Sequence, residues 1–224
     1  MKKKYLAAAM IFGAAALICG GIGVYKYFQE KNAGTEYDEI RKEVVQQAEE
    51  ETPEEEPAVQ QEIEEPAETT VEIPIDFTAL KEQNPDVYAW IQVPGTAVDY
   101  PILQSPTDNA YYLTHTIDGE EKTEGAIFTE NYNTKTFEDP NTVIYGHDMK
   151  NGSMFQSLHN YMDRSFFDAN REVLIYLPDQ IRRYKIFAAY LYDSRHILQS
   201  FDFGNKEIYQ KYLENILSMR DMNA

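Results

Sequence analysis

The sequence predicts a mainly β domain, a barrel of short strands with a few helices inserted, and three observations lead there. REVLIYLPDQIRRYKIF sets two apolar, β-branched and aromatic runs on either side of a Pro-Asp turn, a hairpin signal. From residue 77 onward, short apolar runs alternate with Pro, Gly, Asn and Asp turn residues. Helical periodicity is confined to brief stretches, so helices decorate the sheet and do not form the core.

Three composition zones precede any detail. Residues 1–28 hold Lys2, Lys3, Lys4 and Lys26 and no acid. Tyr5 to Tyr25 is a run of 21 residues without charge, which as a helix spans about 30 Å, the thickness of a bilayer's hydrocarbon. A cleaved signal peptide would have a shorter apolar core and a small-x-small site, whereas this run ends in bulky Val24-Tyr25 and Tyr27-Phe28. The reading is a cytoplasmic tip and a transmembrane signal anchor, with the lysines placing the N-terminus inside and the remainder outside the cell. Residues 29–76 carry 17 acids against 3 bases, with no aromatic residue between Tyr37 and Phe77. Such composition predicts a disordered acidic linker, with an acidic binding tail as the other reading. Residues 77–224 form the folded domain.

Within that domain, FTALKEQ reads as a short helix closed by Asn84-Pro85, followed by an apolar segment holding Trp90. A Pro94-Gly95 turn leads to a strand in VDYPIL. NAYYL is a local helix or strand, a polar loop follows, and Ala126–Thr129 is a strand. NTVIYGH is a strand reaching a turn. SMFQSLHNYM places apolar residues at 154, 155, 158, 161 and 162, a helical stripe with a Ser153–Gln156 capping-box pattern. The 171–193 hairpin follows, its second strand expected to continue through KIFAAYLYD. Last comes an amphipathic helix capped by Asn205, with apolar residues at 208, 212, 213, 216 and 217.

Several function classes fall away. The net charge is -18 and no basic stripe exists, so nucleic acid is not an expected partner. Cys19 is the one cysteine, and the four histidines lack metal-ligand spacing, so neither a disulfide framework, a metal site nor a cofactor is expected. His147 is the candidate that remains. It follows an apolar strand end and precedes a polar turn, where a near-neutral imidazole can move protons; the alternative is a turn histidine bonded to nearby backbone. His115 reads as structural, His159 as exposed on its helix, and His196 as a loop residue with no role. The many Tyr and Phe rings read as packing at core spacing.

NTVIYGHDMKNGSMFQSL resembles the active-site histidine segment of class B sortases, membrane-anchored cysteine transpeptidases of Gram-positive bacteria. LKEQNPDVYAWIQVPGTAVDYPILQS, DNAYYLTHTIDG and GAIFTENYN extend the likeness over residues 77 to 195. The resemblance implies an eight-stranded sortase-type β-barrel with an N-terminal helical addition. It implies a cysteine peptidase chemistry, hydrolase in class: a thiolate cleaves the C-terminal sorting signal of exported proteins. The resulting thioester passes to an amine of a peptidoglycan precursor or a pilin. His147 takes the acid–base role, Asn109 and Leu113 the sorting-signal contacts, and Tyr145 the cleft wall. Core packing is the competing reading for Tyr145 and Leu113, and a cap or turn for Asn109.

The chain departs from that pattern downstream. The family's nucleophile sits in a T-L-x-T-C-like strand end well after the histidine, with an arginine beyond it, and no cysteine follows Cys19 here. Arg195 and Arg220 lie outside the arginine's context. The expectation is a domain incomplete at its C-terminus, its last strands missing, an inner strand left as an open edge, and the chain as it stands inactive. The alternative is a membrane-tethered module that binds sorting signals without cleaving them.

Overall fold

The computed structural model describes residues 24–29, 31–50 and 73–219. The expected membrane anchor lies almost wholly outside these, and among the described residues no helix is long and apolar enough to cross a membrane.

The domain is mainly β. Six strands form one mixed sheet: β1 (Val87–Gln92), β2 (Asp99–Leu103), β3 (Ile127–Thr129), β4 (Ile144–Tyr145), β5 (Glu172–Tyr176) and β6 (Ile181–Lys185), in the spatial order β4-β3-β2-β1-β5-β6. The sheet curls into a half-barrel whose two edges are β4 and β6. The helices are α1 (Thr35–Glu50), α2 (Phe77–Gln83), α3 (Arg164–Ala169), α4 (Ile197–Ser200) and α5 (Lys206–Ser218), with 3-10 turns at Tyr111–Leu113 and Gln156–Met162.

Local chemistry explains most of these boundaries. The Asp76 carboxylate accepts from the amides of Thr78 and Ala79 and starts α2, satisfying two of its orphan donors. Asn84 ends it and donates through Nδ2 to the Ile117 carbonyl at 2.7 Å, and Pro85 forbids continuation. β1 pairs antiparallel with β2 on one side and β5 on the other. This central place buries Val87 through Ile91 without alternation. Trp90 is fully buried, and its indole N–H donates to Asp99 Oδ1 at 2.6 Å. β2 and β3 run parallel, so residues 104–126 must cross over between them. The β5–β6 hairpin runs in register from Glu172↔Lys185 to Tyr176↔Ile181. On edge strand β6, Arg182, Arg183 and Lys185 oppose pairing with another chain. Asn205 caps α5 by accepting from Glu207 and Ile208.

Three expectations are corrected. The stretch read as a disordered linker from residue 29 contains α1, which is docked on the domain. Tyr37, Ile40 and Val44, at i, i+3 and i+7, are buried, while Asp38, Glu39 and Glu43 face solvent. The Tyr37 hydroxyl donates to the Gly125 carbonyl at 2.8 Å, and its ring meets Tyr100 edge-on at 5.4 Å. Arg41 donates to the Asp99 carbonyl at 2.8 Å and pairs with its carboxylate at 2.9 Å. Average acidity hid a three-residue apolar stripe; residues 51–72 of that stretch lie outside the described ones. Second, the stripe from 154 to 162 is a 3-10 turn starting after Phe155, with no side-chain cap. Ser153 cannot close a capping box, because its hydroxyl donates to Asn151 Oδ1 at 2.7 Å; the α-helical turn begins one step later, capped by Asp163. Third, β6 ends at Lys185 and KIFAAYLYD does not continue as strand, since β6 is an edge with nothing to pair against beyond the β5 register.

Candidate active site

His147 leaves the end of β4 through Gly146. A side chain at 146 would strike Ile127 and the Phe155 ring, at 2.4 and 2.8 Å from its first carbon, so the turn into His147 needs glycine for close packing. The loop then folds back on itself. Phe155 N–H donates to the His147 carbonyl at 2.9 Å, Asp148 bridges Met154, and Met149 and Met154 are buried beneath. Two outside contacts hold this loop: Met154 N–H donates to the Tyr100 hydroxyl, and Asn151 Nδ2 donates to the Ala33 carbonyl, just before α1.

The ring of His147 is half-buried, and its Nε2 lies 2.7 Å from the Leu113 carbonyl. A carbonyl can only accept, so Nε2 carries the hydrogen. In the neutral ring Nδ1 then keeps its lone pair, and it has no hydrogen-bond partner among the described residues. The ring is held at one nitrogen and available at the other, the arrangement a general base requires.

The other three candidates divide. Leu113 meets His147 directly, through its backbone, and its side chain is 45% exposed. Asn109 is half-buried and accepts through Oδ1 from the Asn131 amide at 2.8 Å, tying its loop to the segment after β3. That bond spans 22 residues, so the side chain caps no helix, while the backbone of Asn109 lies in the turn closed by the Tyr111 amide on the Asp108 carbonyl. Tyr145 stacks on Phe128 at 5.3 Å and donates its hydroxyl to Glu130 Oε2 at 3.0 Å. Burial, and then the Glu130 carboxylate, raise its phenol above the ordinary tyrosine value. Tyr145 and Asn109 therefore converge on residues 130 and 131, beside the His147–Leu113 pair.

Glu130 escaped the sequence reading, and His196, read there as a loop residue with no role, turns out to cap a helix. Glu130 Oε2 also lies 2.7 Å from His196 Nε2, with both residues half-buried, and His196 caps α4 by accepting from the Gln199 amide. The segment around Glu130 is held in turn by buried Gln104, whose amide donates to Thr129 Oγ1 and to the carbonyls of Glu130 and Asn133. A buried amide with three acceptors leaves no periodic signature; only the polar residue inside the apolar run YPILQS hinted at it. His115 is structural as expected: its ring stacks on Tyr111 at 4.1 Å and Nδ1 meets the Tyr111 carbonyl. His159 is exposed and pairs with Asp148.

Beside the site the half-barrel is open. An apolar cavity of about 660 Å³ lies between the two sheet edges, bounded by Ile91, Ile144, Phe155, Val173 and Ile186. Tyr161 also lines it, with its hydroxyl buried and without a hydrogen-bond partner among the described residues. β4 has no strand on its outer side among the described residues. Unpaired backbone next to unfilled apolar volume is a place where another strand can add.

Residues 91–215 match the family model of the sortase domain. Sortase B of Listeria monocytogenes is 44% identical over 99 residues, which cover 44% of this chain and 40% of the relative. Sortase B of Staphylococcus aureus is 31% identical over 140 residues, covering 62% and 56%. The crystal structure of sortase B from B. anthracis matches with a TM-score of 0.59 at 30% identity, over 83% of this chain and 81% of that one. The chain spans about half the length of the curated relatives it matches.

Proposed function

Because the chain belongs to the class B branch of the sortase family, we propose that it serves as a sorting-signal transpeptidase at the outer face of a cell membrane, with His147 as acid–base residue. The observation that carries this reading is the placement of His147: pinned at Nε2, open at Nδ1, and next to the unpaired edge of β4.

The chemistry follows from that placement. His147 Nδ1 takes the proton of a thiol on a strand added outside β4, and the resulting thiolate attacks the carbonyl carbon of the scissile peptide. The tetrahedral intermediate collapses as His147 gives a proton to the departing amine, leaving a thioester. An acceptor amine, from a peptidoglycan precursor or a pilin, attacks the thioester; the imidazole removes its proton and the thiolate leaves. The 224 residues hold Cys19 only, within the N-terminal run, so the sulfur must arrive on that added strand.

The remaining residues position the sorting signal. Leu113 offers an exposed apolar side chain beside the reacting groups. Asn109 spends its oxygen on Asn131 and offers Nδ2 to a substrate carbonyl. Tyr145 spends its hydroxyl on Glu130, so its ring supplies the wall. Anchoring by residues 5–25 belongs to the same proposal. The open apolar cavity beside β4 favours one second reading, a tethered module that holds sorting signals uncleaved.

Strand complementation separates the two. The full chain is mixed with a synthetic peptide carrying the T-L-x-T-C strand of a class B relative and offered a panel of sorting-signal peptides. Cleavage through a thioester adduct, lost in His147→Ala, supports the transpeptidase. Sorting-signal binding without an adduct, despite strand addition, supports the holding module.

A further inference from the structure

The carbonyl that holds His147 belongs to a backbone position that is itself crowded. Gly125 is buried with φ +54°, and a first side-chain carbon there would sit 2.5 Å from the Tyr112 carbonyl oxygen and 2.7 Å from that of Leu113. Both contacts are to backbone, which cannot rotate away as a flexible side chain can. The adjoining residue completes the junction, since Ala126 N–H donates to the Tyr112 carbonyl at 2.9 Å. Behind Gly125 stands α1, whose Tyr37 hydroxyl donates to the Gly125 carbonyl. Only a residue without a side chain lets the approach to β3 lie this close to the 3-10 turn while keeping the Leu113 oxygen aimed at His147 Nε2.

We infer that Gly125 is a positioning residue for His147: it seats the Leu113 carbonyl that fixes the imidazole with hydrogen on Nε2 and directs Nδ1 to the incoming nucleophile. The inference rests on the reading of His147 as acid–base residue, but the bond itself can be measured without catalysis. It also extends the site to the N-terminal helix, because Tyr37 braces the same peptide from the far side. A nucleophile working with this histidine must face Nδ1.

The test is the ring N–H signal of His147 in the full chain, labelled with ¹⁵N at histidine. An imidazole N–H open to water exchanges too fast to be seen, whereas one bonded to the Leu113 carbonyl gives a resolved proton with a contact to Leu113. We expect that signal in the unaltered chain and its loss in Gly125→Ala. Gly119→Ala is the control: its φ is +78°, so alanine is strained there too, but the nearest foreign atom lies 3.7 Å away. Gly119→Ala should keep the signal. A missing signal in the unaltered chain overturns the inference even if Gly125→Ala fails to fold. Its survival in a folded Gly125→Ala, or its loss in Gly119→Ala, does so as well. None of these outcomes bears on cleavage, so failure here leaves the transpeptidase proposal to its own assay.

Discussion

Replacing Tyr37 tests whether α1 is part of the fold. The ring is 1% exposed, packs edge-on against Tyr100 and donates to the buried Gly125 carbonyl at 2.8 Å. Tyr37→Phe keeps the ring and deletes the bond, leaving that carbonyl unsatisfied, at a cost of about 1–2 kcal/mol. Tyr37→Ala also empties the ring's site, which for buried aromatics costs about 3–5 kcal/mol. In a domain of this size each kcal/mol lowers the melting temperature by about 2–4 °C. Thermal unfolding followed by circular dichroism should therefore show a drop of roughly 2–8 °C for Tyr37→Phe and on the order of 6–20 °C for Tyr37→Ala. If Tyr37→Ala melts within about 2 °C of the unaltered chain, α1 is not docked and the acidic stretch is a spacer after all.

Further outcomes follow from the same structure. Burial raises the phenols of Tyr37 and Tyr88 well above the ordinary value. Below about pH 10 both folded and unfolded chains keep these protons, and above it only the folded chain does. Stability should thus fall by about 1.4 kcal/mol per pH unit per such tyrosine, read as declining urea midpoints from about pH 10 upward; flat midpoints to about pH 11 would contradict the burial. Trp90, the one tryptophan, should emit as a buried indole and resist acrylamide quenching. Asp99→Ala should cost about 2–4 kcal/mol, because it strips acceptors from the buried indole N–H and from Arg41, while Asp99→Asn keeps one and costs less; equal losses would refute that account. His147→Ala should cost no more than about 1 kcal/mol, the value of one hydrogen bond, and a larger loss in urea unfolding would make the residue structural.

The elements legible in the sequence were those with local causes. The short α2 closed at Asn84-Pro85, the β5–β6 hairpin and the Asn205-capped α5 all come from neighbouring residues. So does the position of His147, since the strand end and Gly146 adjoin it. What escaped depends on distant partners. The parallel β2–β3 pairing and the docking of α1 join segments that no window covers together. The acidic surroundings of Tyr37, Ile40 and Val44 outweighed their spacing. In the site, the bond from His147 to the Leu113 carbonyl spans 34 residues, and the Glu130–His196 pair 66. Asn109 and Leu113 were reached by family likeness, and the backbone role of Leu113 is visible only in three dimensions.

The most direct measurement concerns sulfur reactivity at the edge of β4. The full chain is combined with the T-L-x-T-C strand peptide, and the rate at which its thiol reacts with iodoacetamide is followed against pH, with and without His147→Ala. An imidazole beside the sulfur draws the thiol's pKa from about 8.5 toward about 7, so alkylation at neutral pH should run about tenfold faster with His147 than with alanine. Equal rates from a peptide shown to be bound would mean that His147 does not face the nucleophile, and the acid–base role assigned to it would be lost.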